Sequence, residues 1–369
     1  MSKINIPAPT GKYKVGTSLF TIVTYRVETL GPNAWKENRK VTARIYYPAD
    51  ESDVVGKPRA NVISPDLIKP LAKAFSAPYK VFAENNEADF YLDVLPAAGE
   101  KFPLVVFNHG YQSYIESNNL MCIDLCSHGY VVLSVGHTFE AAVTDLGFGQ
   151  YALQDKTAIK KMLSWGYIKG ALKLQKMKVS AEEREKAFRE WQDKCVPFFG
   201  ERLVQWQDDV VCAIDECKER FADRIDFENI GMTGHSFGGN TAYYMCHNMP
   251  EIKCGINLDG GIFGNYDGLI MHKPILQITS GPNKNIMAKV ELDKDAPLYM
   301  ALIDKVRHIG LSDAVWFIPS KMVVGKVPAD ILHRFLCEAH LRFFDRYLKG
   351  KDVQMDLKGY EDYIEFKVL

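Results

Sequence analysis

The sequence predicts an α/β fold built on a mostly parallel, doubly wound sheet. Two segments, Phe102 to Phe107 and Tyr130 to Val135, are continuously apolar, which is typical of strands buried on both faces. Further strand-like segments at Ile230 to Thr233, Cys254 to Leu258 and Pro274 to Thr279 alternate with helix-like stretches. This alternation favours right-handed crossovers and a doubly wound sheet, in which chemistry is found at the carboxyl ends of the strands.

The N-terminal region departs from this alternation. Residues 12–27 and 40–48 are rich in β-branched and aromatic residues, which predicts two antiparallel strands. Residues 50–100 contain many Pro, Ala, Asp and Asn residues. We expect them to form an irregular surface excursion with one strand-like segment at Asp89 to Leu95.

The periodicity then becomes helical. Ser180 to Glu183 has the pattern of a capping box, which predicts the start of a charged helix, and apolar positions on one face predict a second helix from Glu201 to Phe221. Residues 150–200 are therefore interpreted as a helical cap inserted over the binding pocket, with a peripheral helical pair as the alternative. We expect residues 1–369 to form a single domain that contains this insertion.

Composition argues against several classes of protein. The chain of 369 residues is 47% hydrophobic, and its net charge of −1 provides no electrostatic reason to expect a nucleic acid partner. No window approaches the roughly 18 apolar residues of a transmembrane segment, although peripheral membrane contact stays open. Residues 1–16 lack the apolar core of a signal peptide, which predicts a cytoplasmic protein, or a secreted one if a leader has been removed. No particular oligomeric state is predicted.

The eight cysteines are scattered along the chain, and several fall on predicted buried faces, so reduced thiols are expected. Cys122, Cys126 and His128 lie close together in sequence, but no matching second pair follows, so no zinc site is expected. The chain also lacks a Gly-rich phosphate loop and a dinucleotide fingerprint. We therefore expect neither a metal nor another cofactor.

The stretch from Asn229 to Ala242 carries the strongest functional signal. It reads as a short strand, a tight turn with the pattern G-x-S-x-G from Gly234 to Gly238, and the start of a helix. Such a turn exposes a serine hydroxyl, and glycines flank the serine because a Cβ there would clash. Ser236 is therefore the candidate nucleophile, with a plain glycine turn as the alternative.

A serine nucleophile needs a general base. His308 follows an apolar segment and lies in a predicted loop, where such a base is required, whereas His272 precedes a strand at the opposite end of the sheet. His333 and His340 fall inside a predicted C-terminal helix. His308 is therefore the predicted base, with an ordinary surface histidine as the alternative.

The base in turn needs a carboxylate that fixes its tautomer. The strand that follows the G-x-S-x-G turn and its helix ends at Asp259, which places this side chain at the carboxyl end of a strand, beside that turn. The next strand ends in Thr279 to Asn283, which offers no carboxylate. Asp259 is therefore the predicted acid. Glu291, Asp293 and Asp295 are the runners-up, and a turn-forming Asp-Gly is the alternative that needs no chemistry.

An oxyanion hole needs two backbone N–H groups near the nucleophile. One is expected from Phe237, the residue after the nucleophile. The other is expected from Tyr111, in the loop after the first buried strand, where Gly110 allows close approach of the backbone. His109 and His235 flank these positions and are predicted to pack and to form hydrogen bonds rather than to act as a second base.

With these residues identified, the chain resembles the platelet-activating factor acetylhydrolase family. The motifs that carry the resemblance are Pro9–Thr17, Ile45–Pro48, Phe107–Gly110, Gly234–Gly239, Leu258–Gly260, and His308 with Ser312–Asp313. The resemblance implies an α/β-hydrolase fold and a calcium-independent serine esterase that removes short or oxidised acyl chains from lipids. By position it implies Ser236 as nucleophile, Asp259 as acid, His308 as base, and the N–H groups of Tyr111 and Phe237 as the oxyanion hole.

The favoured function is a serine carboxylic-ester hydrolase that cleaves short acyl esters, such as the sn-2 acetyl ester of a phospholipid, through an acyl-enzyme. A general carboxylesterase, a thioesterase, a polyester hydrolase and, less favoured, a serine peptidase would use the same residues, because a triad serves any acyl transfer. An inert binding protein would need a broken triad, yet every member is present. Small-molecule esters or lipids are the expected partners.

Overall fold

The computed structural model of the protein describes residues 6–84, 86–156, 160, 164–266 and 268–369. Among these residues, the strands are β1 (Lys14–Val27), β2 (Asn38–Ala49), β3 (Tyr91–Leu92), β4 (Phe102–Asn108), β5 (Val131–His137), β6 (Val143–Gly147), β7 (Gln150–Leu153), β8 (Ile225–His235), β9 (Ile252–Leu258), β10 (Ile275–Ser280), β11 (Leu298–Ile303) and β12 (Glu365–Val368). The helices are α1 (Pro65–Ala74), α2 (Lys80–Ala83), α3 (Asn119–Ser127), α4 (Trp165–Gln175), α5 (Ala181–Cys195), α6 (Phe198–Phe221), α7 (Phe237–Asn248), α8 (Ala288–Glu291), α9 (Ala314–Phe317), α10 (Lys321–Val324) and α11 (Ala329–Tyr347). Short 3₁₀ helices span Gly281–Asn283 and His308–Leu311.

The main sheet has ten strands in the order β12-β11-β10-β9-β8-β4-β5-β2-β1-β3. From β11 to β5 every neighbouring pair is parallel, whereas β12 pairs antiparallel with β11 and β2 pairs antiparallel with both β5 and β1. In chain order, β5 is added on one side of β4, and β8 is then added on the other side of β4. The predicted doubly wound and mostly parallel sheet is confirmed.

The central strands are buried on both faces, as their continuous apolarity predicted. In β4, Val105 and Phe107 face the core that includes α3 and α11, whereas Leu104 and Val106 face the core that includes α6 and α7. Every residue of β4 and β5 is buried. Because helices cover both faces, the loops at the strand ends project from a rigid, closely packed base.

The N-terminal strands are confirmed as an antiparallel ladder of β1 and β2. The expectation of irregular structure over residues 50–100 is wrong in part, because this region contains α1. Pro65 in the first turn, followed by Asp66, is a helix-start signal, and Leu67 and Leu71 lie one turn apart and are buried. The strand-like segment from residue 89 to residue 95 contributes only the two residues of β3.

Residues 150–200 begin with β7, the second strand of a hairpin with β6, and continue into α4 and α5. Residues 157–159 and 161–163 of this segment lie outside the described residues. The predicted capping box is confirmed: Glu183 N donates to Ser180 Oγ at 3.2 Å and Ser180 N donates to Glu183 Oε2 at 3.2 Å. We call α4 and α5 together the helical insertion, after the prediction for residues 150–200, and its role as a cap over the pocket stays a prediction. Across the described parts of the chain, no helix is both long and apolar enough to span a bilayer.

Candidate active site

The carboxyl ends of the parallel strands meet at one edge of the sheet. Asn108 of β4 pairs with Gly234 of β8, and Leu258 of β9 pairs with both His235 of β8 and Ile278 of β10. The direction of winding reverses between β4 and β8, and doubly wound sheets bind their ligands at such a reversal. The loop after β4 and the turn after β8 therefore lie side by side.

The turn between β8 and α7 holds Ser236 in a conformation that few residues adopt. Its φ is 58° and its ψ is −122°, which is a strained combination for a residue with a Cβ. A Cβ on Gly238 would lie 2.0 Å from Asn108 O, and one on Gly260 would lie 2.2 Å from Ser236 O. Glycine at these positions lets three backbone segments close around the turn, while Ser236 itself stays partly exposed.

The structure brings Ser236, His308 and Asp259 into one line of hydrogen bonds. Ser236 Oγ lies 2.9 Å from His308 Nε2, and His308 Nδ1 lies 2.7 Å from Asp259 Oδ2. The Asp259 side chain is fully buried, whereas that of His308 is 38% exposed. A carboxylate in this position holds the imidazole proton on Nδ1 and leaves Nε2 free to accept the proton of the serine hydroxyl.

Asp259 receives hydrogen bonds from the end of β10. Ser280 N donates to Asp259 Oδ1 at 2.8 Å, while Ser280 Oγ and Asn283 Nδ2 donate to Oδ2 at 2.7 Å and 2.8 Å. Burial by itself would raise the pKa of Asp259, but the hydrogen bonds from His308 and Ser280 outweigh it, so that the pKa is lowered. The end of β10, which lacks a carboxylate, thus supplies hydrogen-bond donors to the carboxylate of Asp259 at the end of the neighbouring β9.

The loop that carries His308 is fastened to the N-terminus of α3. Asn118 Nδ2 donates to Leu311 O at 2.9 Å, and Leu120 N donates to Asp313 Oδ2 at 2.9 Å. Burial raises the pKa of the Asp313 carboxyl to about 8. The candidate base is therefore held by side chains that anchor its loop to a helix of the core.

His235 lies against His308 but has a different partner. Its Nε2 donates to the backbone oxygen of His308 at 2.9 Å, and the two ring centroids are 4.6 Å apart. Burial and the neighbouring imidazole lower the pKa of His235 to about 3. His235 is thus a neutral residue that packs and forms a hydrogen bond, as the sequence predicted.

The candidate oxyanion loop is residues 108–111, after β4. A Cβ on Gly110 would lie only 3.0 Å from Ser236 Cβ, so glycine at this position lets the backbone of the loop pass close to the serine. Within the described part of the chain, the N–H groups of Tyr111 and Phe237 have no hydrogen-bond acceptor. Unused amide donors beside a serine hydroxyl are what an oxyanion hole requires.

Aromatic side chains pack around these two residues. The Tyr111 ring lies 5.5 Å from Phe199 and 5.8 Å from Phe237, measured between centroids. Phe263, in the loop after β9, lies 4.7 Å from Phe199 and 5.2 Å from Phe188 of the helical insertion. The helical insertion therefore contacts the candidate site through a continuous aromatic cluster.

A set of ion pairs, which we call the buried charge cluster, lies behind the candidate oxyanion loop and is buried except at Arg26, whose side chain is 23% exposed. Its members are Arg26, Glu28, Arg39, Glu140, Arg202 and Asp209. The Arg39 guanidinium, which is 1% exposed, donates to Glu28 at 2.9 Å, Glu140 at 2.9 Å and Asp209 at 2.6 Å. Three arginines balance three carboxylates, so each buried charge has a partner of opposite sign.

His137 connects the buried charge cluster to the candidate oxyanion loop. Its Nδ1 donates to Asp209 Oδ2 at 2.8 Å, and its Nε2 lies 3.1 Å from Asn108 Oδ1. Its backbone N–H donates to His109 Nε2 at 3.3 Å. Trp206 stacks on the His137 ring with the centroids 3.6 Å apart. The side chains of Asn108 and His109 in the loop are thus held by a fully buried network.

The other candidate bases and acids have partners elsewhere. His272 is exposed and lies 2.8 Å from Asp295, while His340 is buried 3.0 Å from Thr233 Oγ1. His333 lies beside the Cys337 sulfur in α11. The remaining acids form ion pairs, Glu291 with Arg184 and Asp293 with Lys289. The structure places none of these six candidate side chains in the line of hydrogen bonds from Ser236 to Asp259.

Three parts of the site were missed by sequence reasoning. Asn283 had a signal that was not used: it follows a strand that ends beside the strand of Asp259. The buried charge cluster had no comparable signal, because its members are separated by long stretches of chain, as Arg39 and Asp209 illustrate. Trp206 was likewise missed, although it lies on the apolar face of α6.

Comparison with known proteins identifies the family. The family model described as platelet-activating factor acetylhydrolase, isoform II, matches residues 1–309. The chain belongs to the platelet-activating factor acetylhydrolase family. The resemblance seen in the sequence motifs is thereby confirmed.

Individual relatives are distant. The chain is 24% identical to a platelet-activating factor acetylhydrolase of Cavia porcellus over 95% of its own length and 79% of that protein. It is 28% identical to the corresponding protein of Bos taurus over 70% of its own length, spanning about half of that protein (55%).

The fold has a solved counterpart in a ferulic acid esterase from Streptomyces cinnamoneus. The two structures superpose with a TM-score of 0.75 at 20% identity, over 98% of each chain. The fold is therefore the α/β-hydrolase fold, as predicted. In general terms, the family and the fold support a serine hydrolase that acts on esters.

Proposed function

We propose that the protein is a serine carboxylic-ester hydrolase of the platelet-activating factor acetylhydrolase type, which cleaves short acyl esters through an acyl-enzyme. The observation that carries the proposal is the line of hydrogen bonds from Ser236 through His308 to Asp259. In this line His308 Nε2 takes the hydroxyl proton as Ser236 Oγ attacks the ester carbonyl carbon. The buried carboxylate stabilises the imidazolium that results.

The N–H groups of Tyr111 and Phe237 stabilise the oxyanion of the tetrahedral intermediate. His308 then gives its proton to the leaving alkoxide, so that an alcohol departs and the acyl group stays on Ser236. Water enters, loses a proton to His308 and attacks the acyl carbon. Collapse of the second intermediate releases the carboxylic acid and restores the serine hydroxyl.

A short acyl group is the proposed substrate feature. Aromatic rings pack closely against the two candidate oxyanion residues, with Phe199 5.1 Å from Phe237 and 5.5 Å from Tyr111 between centroids. This packing favours a small, apolar acyl group over a long chain. The names of the relatives support an acetyl ester of a phospholipid, and the α/β-hydrolase fold is compatible with other small esters.

Replacing the nucleophile tests the reaction. We expect Ser236→Ala to lower kcat for p-nitrophenyl acetate by at least about 10⁴-fold, because the variant lacks the oxygen that is proposed to form the acyl-enzyme. A fluorophosphonate probe should add to Ser236 in the wild-type protein and to no residue in the variant, as measured by intact mass and peptide mapping. Near-wild-type turnover by a folded Ser236→Ala protein would refute the proposal.

A panel of substrates tests the specificity. We expect kcat/KM to fall as the acyl chain lengthens from acetate to dodecanoate, and to be lowest for the matched amides. A maximum at long chains would contradict the proposed short-acyl preference. A higher kcat/KM for acetyl thioesters than for acetyl esters would instead identify a thioesterase.

A further inference from the structure

We propose that the side-chain amides of Gln175 and Asn283 link the helical insertion to Asp259 and hold its carboxylate in position. We call these two amides the amide relay. The inference rests on the proposed function, because it concerns the carboxylate that orients the base. Gln175 is the last residue of α4, and Asn283 ends the short 3₁₀ helix after β10. The two residues are positioning residues, since neither needs to touch the substrate.

The side chain of Asn283 joins the helical insertion to the acid. Asn283 is 9% exposed. Its Nδ2 donates to Asp259 Oδ2 at 2.8 Å, and its Oδ1 accepts a hydrogen bond from Gln175 Nε2 at 3.1 Å. A carboxylate only accepts hydrogen bonds, so the NH₂ group of Asn283 has to face Asp259 and the oxygen has to face Gln175. The hydrogen bond from Gln175 thus favours the orientation of the Asn283 amide in which its NH₂ group donates to Asp259.

The oxygen that receives this hydrogen bond is the one that orients the base. Asp259 Oδ2 lies 2.7 Å from His308 Nδ1, and Asn283 Nδ2 is itself 3.4 Å from that nitrogen. If the Asn283 amide turned over, its oxygen would face a buried carboxylate oxygen and the two would repel. His308 would then be aligned by a displaced carboxylate. The expected consequence is a slower chemical step.

The helical insertion is docked on the two loops that flank the acid. Arg189 of α5 donates to Ile262 O at 2.7 Å and to Gly264 O at 2.5 Å, in the loop after β9. Asn285, in the loop after β10, donates from Nδ2 to Gln175 O at 2.8 Å. The relay is therefore complete only while α4 and α5 lie against both loops. This couples the placement of the helical insertion to the alignment of the triad.

Two substitutions at Gln175 test the relay. Gln175→Glu keeps the size of the side chain but removes the donor, and the new carboxylate attracts the NH₂ group of Asn283 away from Asp259. We expect kcat for p-nitrophenyl acetate to fall about tenfold, with KM unchanged. Gln175→Leu removes the donor without attracting the amide, so we expect a smaller loss of kcat, about threefold.

The neighbouring residue provides a matched control. Lys176→Gln changes the net charge by the same amount as Gln175→Glu, and Lys176 is exposed at the end of the same helix. We expect this variant to keep the wild-type kcat and KM. We expect Asn283→Ala to lower kcat by itself, and in that background Gln175→Glu should cause no further loss, because the relay is already broken.

Several outcomes would overturn the relay. The first is a wild-type kcat in folded Gln175→Glu and Gln175→Leu proteins, and the second is a change in KM without a change in kcat. The third is a loss of kcat in Lys176→Gln as large as that in Gln175→Glu. The fourth is a loss of kcat caused by Gln175→Glu that is as large in the Asn283→Ala background as in the wild type. Thermal unfolding establishes that each variant is folded. If Gln175→Glu does not fold, Gln175→Leu alone is used to test the relay. If Ser236→Ala is inactive while both Gln175 variants keep the wild-type kcat, the relay fails and the proposed function stands.

Discussion

The two sides of Ser236 are held in place by different kinds of interaction. On one side, the candidate oxyanion loop rests on the buried charge cluster through His137 and Asn108. On the other side, Asp259 is held by uncharged donors from Ser280 and Asn283. The first arrangement lies mostly within the core, with Arg26 at its edge, whereas the second reaches the surface through the helical insertion.

The difference predicts where a mutation costs stability and where it costs activity. Removing one partner of a buried ion pair leaves an uncompensated charge, which typically costs about 3–5 kcal/mol of folding free energy. A neutral hydrogen bond contributes only about 0.5–1.5 kcal/mol. Substitutions in the buried charge cluster should therefore strongly lower the free energy of unfolding, while substitutions around Asp259 should cost little stability but slow the reaction.

Among substitutions on either side of Ser236, the largest effect on activity is expected from Asp259→Asn. An amide cannot stabilise the imidazolium and favours the wrong tautomer of His308, so kcat for p-nitrophenyl acetate should fall by about 10⁴-fold. Asp293→Asn is the control, because Asp293 is 53% exposed and pairs with Lys289 away from the triad. We expect that control to keep kcat within about twofold. Turnover by Asp259→Asn within tenfold of the wild type would remove Asp259 from its assigned role.

The largest effect on stability is expected from Asp209→Asn. Asp209 accepts hydrogen bonds from Arg39 and His137 and is fully buried, so we expect a loss of about 3 kcal/mol or more in the free energy of unfolding. Asp208→Asn is the matched control, since Asp208 is 39% exposed and lies 3.8 Å from Arg26. Its loss should be below about 1 kcal/mol. Urea unfolding measures both, and equal losses would contradict the contrast between the two sides.

A smaller effect is expected from pH, and its sign differs between two carboxyl groups. Burial disfavours the charged form of Asp209, but the ion pair with Arg39 outweighs it and holds the pKa far below the ordinary range. The stability that Asp209 contributes is therefore present above about pH 4 and is lost as the pH falls. Burial raises the pKa of Asp313 to about 8, so its contribution is lost as the pH rises from about 4 towards 8.

Unfolding free energies measured across the pH range separate these two contributions. We expect Asp313→Asn, relative to the wild type, to flatten the decline in stability between about pH 5 and pH 8. Asp209→Asn should instead flatten the decline below about pH 4. A wild-type slope between pH 5 and pH 8 in the Asp313→Asn protein would show that the anchor of the His308 loop does not titrate there.

The positions of the three candidate catalytic residues were readable from local patterns. Ser236 lies in a turn whose glycines indicate that backbone segments approach closely. Asp259 stands at the end of the strand that pairs directly with the strand before Ser236. His308 was reached by exclusion of the other histidines. The structure adds the distances that join these residues, and their catalytic roles stay predictions that the variants above address.

Other features could not be read in this way. The helix α1 was missed because Pro and Ala within residues 65–74 were interpreted as breaks in regular structure, whereas Pro65 stands in the first turn, where a helix tolerates it. The buried position of Arg39 has no local signature, because an arginine in a strand is exposed unless distant carboxylates surround it. The same applies to Asn283, whose environment comes from Asp259 and Gln175.

The amino-acid sequence by itself determined the alternation of central strands and helices, the edge of the sheet where chemistry is expected, and the family. These properties follow from short-range rules, namely the periodicity of apolar residues, the steric demands of a glycine turn, and the fact that parallel strands end at a common edge. Tertiary structure alone decided which polar groups lie behind that edge. Pairing a buried charge or orienting an amide depends on partners that are distant in the chain, and only the folded core brings them within hydrogen-bonding distance.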